Sequence, residues 1–186
     1  ADRIRATRES AHDAGDPPRR NGRPGARRRP SATAATGSCP RSGVPVTRAE
    51  PRGPTGILLA AGVGRRFGGG KLSAILEDGT PVGVAACRAM HAGLGRVVAV
   101  VRPGDDPLAS ALASAGAVIV HCARADEGMG ASLACGVAAT ADAEGWVVGL
   151  ADMPWIAPAT IRSVAEAIAA GASIAAPVHR GRRGHP

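Results

Sequence analysis

The spacing of apolar and polar positions changes at residue 55 and divides the chain into two unequal parts. From there onward, short apolar runs suited to buried strands recur at 56–60, 96–101, 117–121, 146–150 and 173–177. Ala-rich stretches of helical length lie between them, at 81–92, 107–115, 130–139 and 158–169. Because the short runs are apolar throughout rather than alternating, they predict parallel strands covered on both faces. The alternation predicts a three-layer α/β/α domain with ligands at the carboxyl edge of a mostly parallel sheet.

Residues 1–54 have no periodic apolar pattern and are rich in Arg, Pro, Gly, Ser and Ala. Such a segment buries too little surface to offset its ordering entropy. We therefore predict a disordered Arg/Pro-rich extension over 1–54 and a folded domain over 55–186.

The net charge of +8 is concentrated in this extension. Residues 1–55 hold twelve arginines against five acidic residues, whereas 56–186 hold eleven cations and ten anions. An arginine-rich arm that binds RNA or DNA phosphates is one interpretation. No aromatic side chains interleave the arginines for base stacking, however, so nucleic acid is not an expected partner.

Composition limits which residues can form the core of the folded domain and where in the cell we expect it. Aromatic residues make up only 2% of the chain, so the core has to be built from Ala, Val, Leu and Ile. No run approaches the roughly 18 uninterrupted apolar residues of a membrane span, so no membrane is expected. The four cysteines, at 39, 87, 122 and 135, form no C-x-x-C pair and no zinc pattern. We expect buried, reduced thiols and a cytoplasmic location.

A glycine-rich loop follows the first apolar strand and contains most of the residues that suit phosphate binding. It reads Leu59-Ala60-Ala61-Gly62-Val63-Gly64-Arg65-Arg66-Phe67-Gly68-Gly69-Gly70-Lys71. Glycines let backbone N–H groups turn inward on an anion, and the cations beside them suit a triphosphate. The loop is not a Walker P-loop, because Arg65 stands at its first glycine position and Leu72 follows the lysine. It is not a dinucleotide fingerprint either, because Phe67 stands where the last glycine belongs.

The pattern L-A-A-G-x-G-x-R-F-G-x-x-K resembles the first motif of the molybdenum cofactor cytidylyltransferases, within the molybdopterin-guanine-dinucleotide-synthase-like nucleotidyltransferases. Three later segments resemble further motifs of that family, in the same order. They are E-G-M-G-A-S-L at 127–133, L-A-D-M-P at 150–154 and R-G-H-P at 183–186. The resemblance runs from residue 55 to the end of the chain and implies a Rossmann-like nucleotidyltransferase domain.

The resemblance also implies a reaction, in which CMP passes from CTP to a phosphate of molybdopterin and pyrophosphate leaves. Lys71 and Arg66 would neutralise the triphosphate and Asp152 would hold Mg²⁺, which makes these three the implied catalytic residues. The implied partners are CTP, a molybdopterin-type substrate, and a molybdoenzyme or chaperone. The implied binding set comprises Leu59, Ala60, Ala61, Gly62, Gly64, Lys71, Gly128, Met129, Ser132 and His185.

Each singled-out residue also has a structural interpretation. The structural alternative for Asp152 is a turn residue before Pro154. For Lys71 it is a solvated surface lysine, and for Arg66 it is a partner in a local salt bridge. The structural alternative for Ser132 is a position on a helix face of small residues, and for His185 it is a residue of the chain terminus without a binding role. For the base, the resemblance favours CTP over GTP, because Ala61 stands where guanylyltransferases of the group carry glycine. Guanylyl transfer and a sugar-phosphate acceptor remain alternatives.

Members of the family continue past R-G-H-P into a D-x-D-T-P-type segment that supplies a second metal carboxylate. No D-T-P occurs in this chain. We therefore expect the C-terminal part of the domain to be missing. A catalytically impaired nucleotide-binding fragment is the alternative function.

Overall fold

A computed structural model of the chain describes residues 3–7, 53–64 and 69–184. The strands among these residues are β1 (Arg3–Thr7), β2 (Thr55–Leu59), β3 (Val97–Val101), β4 (Val118–His121), β5 (Trp146–Leu150), β6 (Ile174–His179) and β7 (Arg182–Arg183). The α-helices are α1 (Val82–Leu94), α2 (Asp106–Ser114), α3 (Met129–Ala139) and α4 (Pro158–Ala169). None of the described helices combines the length and the apolar character that crossing a bilayer requires.

The main sheet has the order β4-β3-β2-β5, and all of its neighbouring strands are parallel. Side chains of the central strand alternate between two apolar clusters. Leu58 packs in a cluster with residues of α1, α2 and α4, whereas Ile57 packs in a cluster with residues of α3. Helices therefore cover both faces of the sheet, which confirms the predicted three-layer α/β fold with a mostly parallel sheet.

Small residues let the helices approach the sheet closely. A Cβ added at Gly136 of α3 would lie 2.7 Å from Cγ2 of Ile57, which is closer than two carbon atoms can pack. On the other face, Met90 of α1 lies over β2 and β5, where Cβ atoms at Gly56 and Gly149 would meet its side chain. A core with few aromatic side chains thus gains contact by bringing backbones together.

A second sheet departs from the expected organisation. It has the order β1-β6-β7, and β6 pairs antiparallel with both of its neighbours. The apolar run at 173–177 does form a strand, but among the described residues that strand is not part of the parallel sheet. An apolar run does not show which edge its strand will join. Its partner β1 comes from residues 3–7, where no element was expected. Residues 8–52 lie outside the described part of the chain, so the proposed boundary near residue 55 stays a prediction.

Two of the cysteines form a disulfide, and the expectation of reduced thiols is wrong for them. Cys122 follows β4 and Cys135 lies in α3, with their Cα atoms 5.9 Å apart. Their 13-residue separation matches no recognised spacing, and only the packing of α3 on the sheet brings them together. Cys87 of α1 is a free, buried thiol, as expected, and burial raises its pKa. Cys39 lies outside the described residues.

Candidate functional site

The glycine-rich loop is described over 61–64 and again from residue 69. Gly64, Gly69 and Gly70 have φ angles of 61°, 92° and 65°, a region that side-chain-bearing residues rarely adopt. The N–H of Gly69 donates to the carbonyl of Gly64 at 3.3 Å, so the loop folds back on itself. This places Lys71 beside Gly64, where an added Cβ would lie 3.3 Å from Cβ of the lysine. Arg66 lies outside the described residues, so its role stays a prediction.

Lys71 and Asp152 meet at the carboxyl edge of the parallel sheet. Lys71 opens a short 3₁₀ helix after the loop, and Asp152 lies in the turn that follows β5. The ammonium Nζ of Lys71 donates to Oδ2 of Asp152 at 2.7 Å. The two side chains are 41% and 36% exposed, so solvent screens their attraction and the pair adds little to stability.

A cavity of about 420 Å³ lies at this edge. One of its walls is the loop from Ala61 to Gly64, and the other comprises residues that precede and open α3. The predicted residues on its lining are Leu59, Ala61, Gly62, Gly64, Lys71, Gly128, Met129, Ser132 and Asp152. Ala60 lines a neighbouring cavity of about 200 Å³ that also contains Lys71. His185 lies outside the described residues.

The second wall is built around Gly128, which has a φ of 119° and directly precedes α3. Met129 is 57% exposed over the cavity. Ser132 is 4% exposed, and its hydroxyl donates to the carbonyl of Gly128 at 3.5 Å. Glu127 accepts two hydrogen bonds from Arg124, which hold the pKa of this carboxyl below its usual value. The segment E-G-M-G-A-S-L therefore supplies a turn, an exposed apolar side chain and the first turn of a helix.

Sequence reasoning missed Arg102, which lines both cavities. Its Nε and Nη2 donate to the carbonyl of Ala61 at 3.3 and 3.2 Å, and its Nη1 pairs with the carboxylate of Asp126. Asp126 lies on the second wall and was missed as well. The signal was present for Arg102, because a charged residue directly after a buried strand stands at the carboxyl edge of the sheet.

Within the described residues, no group of three or more His, Cys, Asp or Glu side chains is placed to hold a metal ion. Asp152 and Asp126 are the carboxylates on the lining of the larger cavity, and each is paired with a cation. A metal ion at this edge would accordingly need ligands from water or from a bound substrate in addition to Asp152.

Solved structures of two proteins resemble this fold. A nucleotidyl transferase from Methanothermobacter thermautotroptrophicus is 26% identical, with a TM-score of 0.52 over 61% of this chain and 57% of its own. Rv0371c from Mycobacterium tuberculosis is 30% identical, with a TM-score of 0.53 over 65% of this chain and 63% of its own. A manganese complex of Rv0371c gives a TM-score of 0.49. The chain thus spans about three fifths of the length of these proteins.

A comparison with curated proteins found no match. A family profile described as the MobA-like NTP transferase domain matches residues 56–186, which is the larger part of the chain. The match includes the glycine-rich loop, both walls of the larger cavity and Asp152. The chain belongs to the family of the MobA-like NTP transferase domain.

Proposed function

We propose that this chain is a nucleotidyltransferase that transfers CMP from CTP to a phosphate of a molybdopterin-type acceptor and releases pyrophosphate. The observation that carries the proposal is the meeting of Lys71 and Asp152, 81 residues apart in sequence, on the lining of one cavity. Family membership and the similarity to a protein described as a nucleotidyl transferase support the reaction class. A molybdoenzyme or its chaperone is the proposed recipient of the product.

The cavity suits a nucleotide in size and in the character of its walls. Its volume of about 420 Å³ lies within the usual range for small-molecule sites. The first wall presents the backbone of Gly62 and Gly64, where no side chain keeps a phosphate at a distance. The second wall presents Met129, an apolar side chain suited to pack on a base or a ribose. Phosphates at Gly62 and Gly64, with the nucleoside between Ala61 and α3, would satisfy both walls.

The proposed reaction places few chemical demands on the protein. A phosphate group of the acceptor is already a nucleophile at neutral pH, so no general base has to activate it. The remaining need is to hold the triphosphate and to neutralise the charge that moves to the leaving pyrophosphate. Lys71 is the described cation best placed for this, because it belongs to the glycine-rich loop and lies on both cavities.

Asp152 is the residue proposed to hold Mg²⁺. One carboxylate is sufficient when phosphate oxygens and water complete the coordination, which is the usual arrangement for this ion. When bound, the ion supplies positive charge beside the phosphates. Lys71 would then exchange Oδ2 of Asp152 for a phosphate oxygen. Both groups of the ion pair are therefore charged and positioned before the substrate arrives.

The preference for CTP rests on Ala61. The residue is 6% exposed and belongs to the apolar cluster on the α3 face of the sheet, and it also lines the larger cavity. A methyl group here leaves less room beside a base than glycine does, which favours the smaller pyrimidine. The proposal of CTP over GTP therefore depends on how near the base lies to this residue.

The test is pyrophosphate release from CTP and from GTP, with and without molybdopterin, by the chain and by its Asp152→Asn variant. We expect release that requires the acceptor, is faster with CTP, and is lost in the variant. Sugar 1-phosphates serve as the second set of acceptors. Activity with these acceptors alone would show that the proposed acceptor is wrong and that the proposed reaction class is right. Tight CTP binding with no release for any acceptor, equal in both proteins, would contradict the proposal.

A further inference from the structure

Arg102 joins the two walls of the larger cavity, although it belongs to neither. It directly follows β3 and reaches one wall at the carbonyl of Ala61, to which two of its nitrogens donate at 3.2 and 3.3 Å. It reaches the other wall through its ion pair with Asp126. Its side chain is 28% exposed, which is less than either member of the Lys71–Asp152 pair.

The two walls also share one apolar cluster. Ala61 and Ala125 belong to the same apolar cluster, and they are 6% and 8% exposed. Val63 on the first wall and Met129 on the second both line the cavity and are exposed. The guanidinium of Arg102 therefore links the walls at Ala61 itself and at Asp126, the residue after Ala125.

We propose that Arg102 is a positioning residue that sets nucleotide affinity by holding the loop at Ala61 and the turn at Asp126 at a fixed separation. This inference rests on the function proposed above and adds a residue to that same site. With the bridge in place, the nucleotide enters a cavity whose walls are already ordered. Without it, part of the binding free energy is spent on ordering the walls.

A direct contact between the Arg102 cation and the phosphates would raise affinity by a different route. The two routes predict opposite effects for Asp126. If Arg102 acted as a cation alone, removing the carboxylate of Asp126 would leave a more positive cavity and tighten the binding of a polyanion. If Arg102 acts as a bridge, removing that carboxylate breaks the bridge and weakens binding. The sign of the Asp126→Ala effect therefore distinguishes the routes.

The experiment measures the Kd for CTP by calorimetry, kcat and KM for CTP, and the melting temperature. The variants are Arg102→Met, Arg102→Lys, Asp126→Ala and the double variant Arg102→Met/Asp126→Ala. Arg96→Met is the matched control, because Arg96 precedes the same strand at its opposite end and pairs with Asp142 at 2.9 Å. This variant loses a similar Arg–Asp ion pair that is not on the cavity lining.

We expect Kd and KM to rise roughly tenfold in Arg102→Met, which also loses the hydrogen bonds to Ala61, and about threefold in Asp126→Ala, because that carboxylate is 74% exposed and solvent screens its ion pair, with kcat changing less than about twofold in both. Arg102→Lys should recover part of the affinity, because lysine keeps the charge but cannot reach both walls with a planar fork. The double variant should bind no more weakly than Arg102→Met alone, since both substitutions remove the same bridge. Arg96→Met should lower the melting temperature without moving Kd.

An unchanged Kd in Arg102→Met, or tighter binding in Asp126→Ala, would overturn the bridge and leave the proposed function standing. A chain that binds neither CTP nor GTP would overturn the proposed function together with the bridge. If Arg102→Met does not fold, Asp126→Ala carries the test, because its side chain is 74% exposed and leaves no cavity in the core.

Discussion

The ammonium of Lys71 and the carboxylate of Asp152 lie 2.7 Å apart because β2 and β5 are neighbours in a parallel sheet. The loop that carries Lys71 leaves the carboxyl end of β2, and the turn that carries Asp152 leaves the carboxyl end of β5. Parallel pairing brings these two ends to the same edge. The sheet topology thus assembles, from segments far apart in sequence, a cation and an anion that a metal-bound triphosphate would engage separately.

This pair should matter for activity far more than for folding. Replacing Asp152 by Asn, or Lys71 by Met, is expected to lower kcat/KM for CTP by at least about 100-fold, the usual cost of losing one preorganised charge at a reacting centre. The free energy of unfolding should fall by less than about 1 kcal/mol, because both side chains are more than a third exposed and water screens them. Steady-state kinetics and urea denaturation measure the two quantities.

Asp142→Asn is the control that separates the effect on activity from the effect on stability. Asp142 accepts from Arg96 at 2.9 Å, and this pair has exposures of 38% and 46%, close to those of the Lys71 pair. Its loss should change stability by a similar small amount and leave kcat/KM unaltered. A Lys71 or Asp152 variant that retains full activity would remove the ion pair from the proposed mechanism.

The parallel sheet could be predicted from sequence because its strands read as uninterrupted apolar runs, and its two central strands, β2 and β3, are buried nearly throughout. The location of the candidate site could be predicted because its motifs stand at the ends of those runs, whereas the roles of its residues stay predictions. Gly64 and Lys71 were singled out by the resemblance of the glycine-rich loop to a family motif, and Asp152 by the resemblance of L-A-D-M-P at the end of a predicted strand. The structure places all three on one cavity, as parallel strand ends require.

Features that depend on long-range pairing gave no comparable signal. β1 lies in a segment without apolar periodicity, and its pairing with β6 is a tertiary event. The Cys122–Cys135 bond depends on how α3 packs on the sheet. Arg102 carried a readable signal in its position after β3, but its bridge to Asp126 requires the turn before α3 to be in place.

Alanine variants of Gly62 and Gly64 should distinguish a glycine that the loop conformation requires from a glycine that the approach of a ligand requires. An added Cβ at Gly62 meets no atom within 4 Å, whereas Gly64 has a φ of 61° and would place its Cβ 3.3 Å from that of Lys71. Gly64→Ala should therefore destabilise the chain by about 1 kcal/mol or more. Gly62→Ala should keep the melting temperature and weaken CTP binding, because the methyl group would stand where phosphate approaches the backbone. Gly53→Ala, also in open space, is the control. Equal CTP affinity in Gly62→Ala and the wild type would contradict the proposed approach of phosphate to the backbone at Gly62.

Two glycines of α3 should respond in opposite directions to alanine. At Gly136 the new methyl group would lie 2.7 Å from Cγ2 of Ile57, a stiff β-branched side chain, so unfolding free energy should fall by about 1–3 kcal/mol. At Gly130 nothing lies within 4 Å, and alanine should stabilise the helix by about 0.5–1 kcal/mol. Chemical denaturation of the two variants measures both. Equal effects of the same sign would contradict the close approach of α3 to β2.

The Cys122–Cys135 bond predicts a thiol count. Among the described cysteines, Cys87 should react with a thiol reagent in the denatured, unreduced chain, and reduction should add two reactive thiols, from Cys122 and Cys135. Reduction should also lower the unfolding free energy by about 3 kcal/mol, the usual scale for closing a loop of this length. Cys122→Ser should lose the dependence on reductant. Four reactive thiols before reduction would show that the bond does not form in solution.

Ala61→Gly tests the proposed choice of base. Removing the methyl group frees space beside the base, so kcat/KM for GTP should rise relative to that for CTP by roughly tenfold, the lower end of what one methyl group contributes to discrimination. Ala61 is 6% exposed, so the variant should also lose about 1 kcal/mol of stability from the apolar cluster. That loss acts on both nucleotides equally, and the ratio of the two kcat/KM values removes it from the comparison. If both values fall together with their ratio unchanged, Ala61 contributes packing alone and the base is selected elsewhere in the site.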